Sequence, residues 1–250
     1  MDRDDFLATL HDESTALLVA ARQADPQAAV PGCPDWTTAD LVWHIGEVHD
    51  FWGWIVRERS TAPDAYEDPV RPGSDLGFDE AFTAVATFAS ERAAELFRVL
   101  ADTDPVTPVW TWTPQHDVAW VTRRMAHETA VHRVDAEHAA GREHRLAPEL
   151  AADGIDEFLE FFFPLAAADA PPLAGSVHLH CTDANGEWTV RPAADGGITV
   201  AGGHAKADAA LRGDAHDLLM VLWRRSPLDR VTVFGDVDLV TGFVNRPSND

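Results

Sequence analysis

The spacing of apolar residues changes once along the 250-residue chain, and this change constrains the fold more than any other feature of the sequence. Through residue 168 apolar side chains recur every three to four positions, the spacing of amphipathic helices. From residue 177 onward they alternate with polar ones, and Asn-Gly and Asp-Gly-Gly turns separate the segments, as in antiparallel hairpins. We therefore predict two domains, a helical one over 1–168 and a small α+β one over 175–250, separated by a Pro-rich break at 169–175.

Within the helical half, Pro-rich and polar breaks divide the chain into four long helices and a fifth that follows them. The predicted helices cover 5–24, 41–55, 78–101 and 118–140, with the fifth over 148–168, and 30–36 is predicted as a turn. Thr37 and Asp40 form a capping box before the second helix. In the C-terminal half we predict strands at 177–181, 187–190, 198–201, 207–213 and 231–234, and helices at 215–225 and 237–244.

The chain is strongly acidic, with a formal net charge of −23 from 42 acidic and 19 basic residues. Such a field repels polyanions, so we expect neither a nucleic-acid partner nor a membrane partner. No uncharged apolar run reaches the ~18 residues of a membrane span, and no export signal opens the chain, which indicates a cytoplasmic protein. Cys33 and Cys181 lie in different predicted domains, which excludes a disulfide framework and disfavours a Cys-based zinc site. Neither cysteine has a neighbouring base that would mark it as a nucleophile.

The fourth predicted helix contains His127-Glu128 followed by His132, one residue longer than the H-E-x-x-H signature of zinc proteases. At about 100° per residue, His127 and His132 point roughly 140° apart and cannot share one metal. Glu128 and His132 are four residues apart and stand on the same face. The pair able to chelate is therefore Glu-x-x-x-His, which needs at least one further ligand.

We find the third ligand on the second helix. The apolar line of the fourth helix, formed by Val118, Val121 and Met125, continues through Glu128 and His132, and a buried carboxylate requires a partner or a cation. The inward line of the second helix, formed by Leu41, Val48, Phe51 and Ile55, includes one titratable residue, His44. We predict that His44, Glu128 and His132 bind a metal between two helices, as in other helical bundles. Taken alone, His44 also fits a hydrogen-bonded core histidine.

Other polar residues near these lines have simpler explanations. Asp135 lies one turn beyond His132 and fits either a partner that orients its imidazole or a solvated helix end. The remaining histidines of this half fit polar faces or loops, and they include His49, His116, His127, His138 and His144.

Three stretches of the sequence resemble the mycothiol-dependent maleylpyruvate isomerase family of actinobacteria. They are Cys33-Pro-Asp-Trp-Thr, Asp40-Leu-Val-Trp-His, and the segment from His127 through Asp135-Ala-Glu. The resemblance covers nearly the whole chain. It implies a DinB-like metal-binding four-helix bundle, followed by a small C-terminal domain related to the sterol carrier protein fold. It also implies zinc, or another divalent metal, and mycothiol as thiol cofactor or co-substrate.

Three nitrogen and oxygen ligands leave open positions on zinc, which is typical of a catalytic site, and a thiol bound there is deprotonated. The resemblance implies that this thiol is mycothiol and that its thiolate adds to a cis double bond, permits rotation and leaves. A mycothiol S-transferase, a metal-dependent hydrolase and a non-enzymatic metal-binding module stay open as alternatives. The expected partners are mycothiol and a small electrophilic substrate, with the chain a monomer or weak dimer.

Maleylpyruvate is a dianion, so an isomerase needs cationic contacts. Arg124 stands one turn before Glu128, and Arg225, with its neighbour Arg224, ends a helix of the second domain; we predict Arg124 and Arg225 as catalytic contacts, although surface solvation explains each equally well. Trp52 is the predicted cofactor-binding residue, for stacking on the sugars of mycothiol. Trp52 is one of several tryptophans in the helical half, and packing in the core is the alternative role for all of them. The others are Trp43, Trp54, Trp110, Trp112 and Trp120.

Overall fold

The computed structural model describes residues 1–73, 75–166, 171–194 and 196–246. The chain forms two compact units, Met1–His144 and Arg145–Asp250. It combines helices with two sheets, so the predicted mixed composition is confirmed. In the described ranges no helix is both long enough and apolar enough to cross a membrane.

Four long helices build the first unit, and their bounds are α1 Arg3–Gln23, α2 Thr38–Arg57, α3 Phe78–Asp102 and α4 Val118–Ala139. α1 packs mainly on α4, and α2 packs mainly on α3. The capping box predicted before α2 is present: Asp40 N donates to Thr37 Oγ1 at 3.2 Å, and Thr37 N donates to the Asp40 carboxylate at 3.0 Å. Both backbone donors at the helix start are thereby satisfied, which fixes where α2 begins.

A short antiparallel pair, β1 Ala29–Val30 and β2 Cys33–Thr37, lies where the sequence predicts only a turn. The pair is too short and too rich in proline to alternate in hydrophobicity, so periodicity does not reveal it. It holds Trp36 against the helices, with its ring centroid 4.6 Å from that of His44 and 5.9 Å from that of His132.

A five-stranded sheet and several helices make up the second unit. α5 Pro148–Glu157 continues through a π-helical turn, Phe158–Phe162, into α6 Phe163–Ala166. The sheet order is β5-β4-β3-β6-β7, with β3 antiparallel to β4 and parallel to β6. The bounds of the other elements are β3 Val177–Cys181, β4 Glu187–Pro192, β5 Ile198–Gly202, β6 Ala209–Gly213, α7 Ala215–Leu222, a 3₁₀ turn Leu228–Arg230, β7 Thr232–Gly235 and α8 Val237–Val244.

The border between the two compact units differs from the predicted domain boundary. The sequence places the boundary at 169–175, whose first residues lie outside the described ranges. The chain divides into the two compact units after His144, and α5 packs on α7 within the second unit. Trp188 Nε1 donates to the Asp156 carboxylate at 2.5 Å, and the rings of Phe158 and Trp223 lie 4.9 Å apart. These contacts make α5 part of the second unit, whereas independent folding of either half stays a prediction.

Candidate metal centre

α2 and α4 bring the three predicted ligands, His44, Glu128 and His132, to one place. Glu128 Oε1 lies 3.4 Å from His44 Nε2 and 3.2 Å from His132 Nε2. The ligand atoms of all three lie within 4.8 Å of one another, and the two imidazole centroids are 5.0 Å apart. Two imidazole nitrogens and a carboxylate oxygen thus converge at one place, and these are donor types that divalent metals accept in proteins.

The face of α2 that the sequence predicts to be buried, which includes His44, differs from the face that is most buried in the structure. Ile45, His49 and Trp52 are buried, whereas the side chain of His44 is 30% exposed. Two residues of the most buried face contact α4: His49 Nε2 lies 2.9 Å from Thr129 Oγ1, and the Trp52 ring lies 5.4 Å from that of Trp120. His44 therefore lies at the edge of the helix interface, where a small molecule can approach it.

The charges in this site are strongly coupled. Burial opposes ionisation of Glu128, but the Arg124 guanidinium and the His132 imidazole hold the pKa of its carboxyl well below the usual value. Burial also opposes charge on His132, yet the Glu128 carboxylate and a hydrogen bond to Asp135 raise the pKa of its imidazole to about 9. Arg124 is itself buried and paired with Glu128. A divalent cation would enter here by displacing the proton of His132.

Asp135 orients the His132 ring. Its Oδ2 lies 2.9 Å from His132 Nδ1, and the carboxylate is fully buried, so the alternative of a solvated helix end is wrong. A hydrogen bond at Nδ1 leaves Nε2 of neutral His132 with its lone pair directed toward Glu128. Carboxylate–histidine pairs of this kind are usual behind metal-binding imidazoles.

Cys33 lies closer to the site than the sequence suggests. Its Sγ is 3.8 Å from Asp135 Oδ2, and Cys33, His132 and Asp135 form a second group with ligand atoms within 4.8 Å of one another. The expectation that Cys33 has no neighbouring base is therefore wrong. The β1–β2 pair, which the sequence analysis missed, is what brings this thiol to α4.

Two histidines predicted on polar faces are buried instead. His49 is fully buried, with its Nε2 2.9 Å from Thr129 Oγ1, and His127 packs edge-on against Phe6 with ring centroids 5.8 Å apart. His127 is buried because α4 is covered on most sides, and His49 is buried because it packs from α2 against Thr129 of α4. Among the described residues, neither His49 nor His127 belongs to a group of potential metal ligands.

The other predicted contacts fall in different environments. Trp52 is only 6% exposed and packs among the rings of Trp110 and Trp120, at 6.0 and 5.4 Å. Arg225 lies in the second unit, where its guanidinium donates to the Trp223 carbonyl at 3.0 Å. Arg225 and Arg224 also line a cavity of about 440 Å³. Trp36, which packs on both imidazoles of the site, was not predicted as a site residue; its place in the Cys33-Pro-Asp-Trp motif is the one signal that marks it.

Comparison with known proteins covers both units. Residues 7–137 match the model of the mycothiol maleylpyruvate isomerase N-terminal domain, and residues 149–242 match that of the corresponding C-terminal domain. Crystal structures of a mycothiol-dependent maleylpyruvate isomerase and of its histidine-to-alanine mutant are similar in fold, each covering 95% of both chains. The TM-scores are 0.58 and 0.60, at 13% and 14% identity. No curated protein matches the chain.

Proposed function

The chain belongs to the mycothiol-dependent maleylpyruvate isomerase family, and on that premise we propose that it is a zinc-dependent enzyme using mycothiol for cis–trans isomerisation. The observation that carries the proposal is the convergence of His44, Glu128 and His132 within the segment that matches the family's N-terminal domain. The proposal includes a DinB-like four-helix bundle for the first unit and a sterol-carrier-like fold for the second.

The donor atoms fit zinc. Two imidazoles and one carboxylate are ordinary zinc ligands, and their mutual distances of 3.2 and 3.4 Å match the ~3.4 Å between donors that bond lengths of ~2.0–2.2 Å imply. Buried Asp135 supports the fit, because it holds His132 with Nε2 facing the other donors. When bound, a zinc ion with open positions would lower the pKa of a thiol and keep it as the thiolate.

The protein's own residues supply orientation and charge. Arg124 keeps Glu128 ionised and brings positive charge to the place where a dianionic substrate would bind. Trp36 covers one side of the two imidazoles with an aromatic face suited to a conjugated substrate. We retain Trp52 as a mycothiol contact and Arg225 as a second cationic contact.

The test is turnover of maleylpyruvate by the zinc-loaded protein with and without mycothiol, followed spectroscopically and by mass analysis of products. We expect isomer formation that requires both mycothiol and metal and is lost in His132→Ala. His127→Ala is the matched control, because it removes a buried histidine of the same helix outside the ligand group. A stable thiol adduct would identify an S-transferase, and thiol-free turnover of an ester or amide would identify a hydrolase.

A further inference from the structure

A second cluster of histidines lies on the sheet of the second unit. His178 and His180 are two residues apart on β3, so both project from the same face. On the antiparallel neighbour β4, Glu187 pairs with His180 and Thr189 pairs with His178. Directly after the edge strand β5, Gly203 N donates to the carbonyl of Glu187 at 2.9 Å. This contact brings the next residue of the chain, His204, beside the Glu187 side chain.

The geometry of this cluster suits a metal ion. The ligand atoms of His178, Glu187 and His204 all lie within 4.8 Å of one another. His204 Nδ1 is 3.4 Å from Glu187 Oε2, and the rings of His178 and His204 are 5.3 Å apart and nearly perpendicular. Tetrahedral zinc places its ligand atoms ~3.4 Å apart, so atoms that now lie within 4.8 Å of one another must approach by at most ~1.4 Å. The side chain of His204 is 83% exposed and can move that far without disturbing the sheet.

His178 carries an independent indication of a ligand. The residue is only 6% exposed, and its Nδ1 forms a hydrogen bond of 3.1 Å with Thr189 Oγ1. Its Nε2 is buried and has no hydrogen-bond partner within the described part of the chain. A buried ring nitrogen without a partner is costly unless something binds it. An imidazole anchored at Nδ1, with Nε2 open, is the arrangement usual for a metal-binding histidine.

The chemistry of the donors selects the kind of cation. Imidazole nitrogens with a single carboxylate suit zinc and its first-row neighbours, whereas calcium and magnesium require mainly oxygen ligands. His180 hydrogen-bonds to Oε1 of Glu187 through Nδ1 and leaves Oε2 facing His204.

We propose that His178, Glu187 and His204 form a second binding site for a zinc-class divalent cation, with His180 positioning the carboxylate. The site is independent of the proposed catalytic centre, since all of its residues belong to the second unit. A bound ion would join β3, β4 and the segment after β5. Its expected effect is to stabilise the free edge of the sheet.

Metal stoichiometry of the full-length protein tests this site. Chelator-treated protein is titrated with Zn²⁺ by calorimetry, and bound metal is counted by elemental analysis after desalting. We expect two equivalents for the wild type and one for His204→Ala, whose exposed side chain can be removed without unfolding the sheet. His132→Ala should also retain one equivalent, so loss of the catalytic centre and loss of the second site are distinguishable.

His11→Ala is the matched control. His11 is an exposed histidine with a carboxylate neighbour, Asp12, at 3.0 Å, and among the described residues it has no third potential ligand. It should bind two equivalents like the wild type. The proposal is overturned if His204→Ala and the wild type bind the same amount of zinc with the same affinity, or if His11→Ala loses as much metal as His204→Ala.

Discussion

Acid should destabilise the first unit through His49. This histidine is fully buried in α2, its Nε2 hydrogen-bonds with Thr129, and within the described residues its Nδ1 has no partner. A second proton would therefore enter a site with no acceptor. Burial lowers the pKa of His49 to about 4, helped by the nearby His44 and His132 and opposed by Glu128.

The magnitude follows from the difference in pKa between the folded and unfolded states. An unfolded histidine takes up its proton below about pH 6.5, whereas folded His49 does so only near pH 4. The stabilising contribution is thus fully present above pH 6.5 and is lost as the pH falls from 6.5 to 4. Linkage gives a loss of about 2 kcal/mol at pH 5 and a limit of about 3 kcal/mol below pH 4.

Urea unfolding of the chelator-treated protein at pH 7.5 and pH 5 measures this loss, and chelation removes the separate effect of metal release. His49→Gln should lose about 2 kcal/mol less than the wild type between the two pH values, whatever its stability at pH 7.5. Other histidines contribute equally to both proteins and cancel. His11→Gln, at an exposed position, should behave like the wild type. Equal losses in the wild type and His49→Gln would refute the reasoning.

The remaining predictions concern the metal ligands, the thiols and the domain border. Asp135→Ala should weaken zinc binding about 10–100-fold by freeing the imidazole it holds, as measured by competition with a chromophoric chelator; unchanged affinity would remove Asp135 from the site. Cys33→Ser and Cys181→Ser should both remain active when mycothiol is supplied; loss of turnover in either would indicate a protein thiol in the reaction. Fragment 1–144 should unfold cooperatively by circular dichroism; cooperative unfolding of 1–168 alone would favour the boundary predicted from sequence.

Local geometry explains why part of the site could be predicted from sequence. The four-residue separation of Glu128 and His132 fixes their shared face once the segment is helical, and the Thr37 capping box fixes the start of α2. The choice of His44 required only that two helices of one unit pack together. These inferences depend on periodicities and caps that act over one or two helical turns.

The features of the structure that the sequence does not reveal depend on tertiary packing. Cys33 and Trp36 reach the site through a strand pair too short for a periodic signal. His127 is buried because α4 is covered on most sides, and His49 is buried because it packs from α2 against Thr129 of α4; the neighbours of these histidines in sequence do not reveal either contact. The border at His144 depends on contacts of α5 with α7, about 60 residues further along the chain.

The proposed role of the metal is tested most directly by spectroscopy of the cobalt-substituted protein. With His204→Ala as background, to leave only the centre on α2 and α4, mycothiol should produce a thiolate-to-cobalt charge-transfer band. The band should persist at pH values well below the ~8.5 of a free thiol, because the metal stabilises the thiolate. It should be absent in the double variant that also carries His44→Ala. A spectrum unchanged by mycothiol, in protein that retains its cobalt, would contradict thiolate activation at His44, Glu128 and His132.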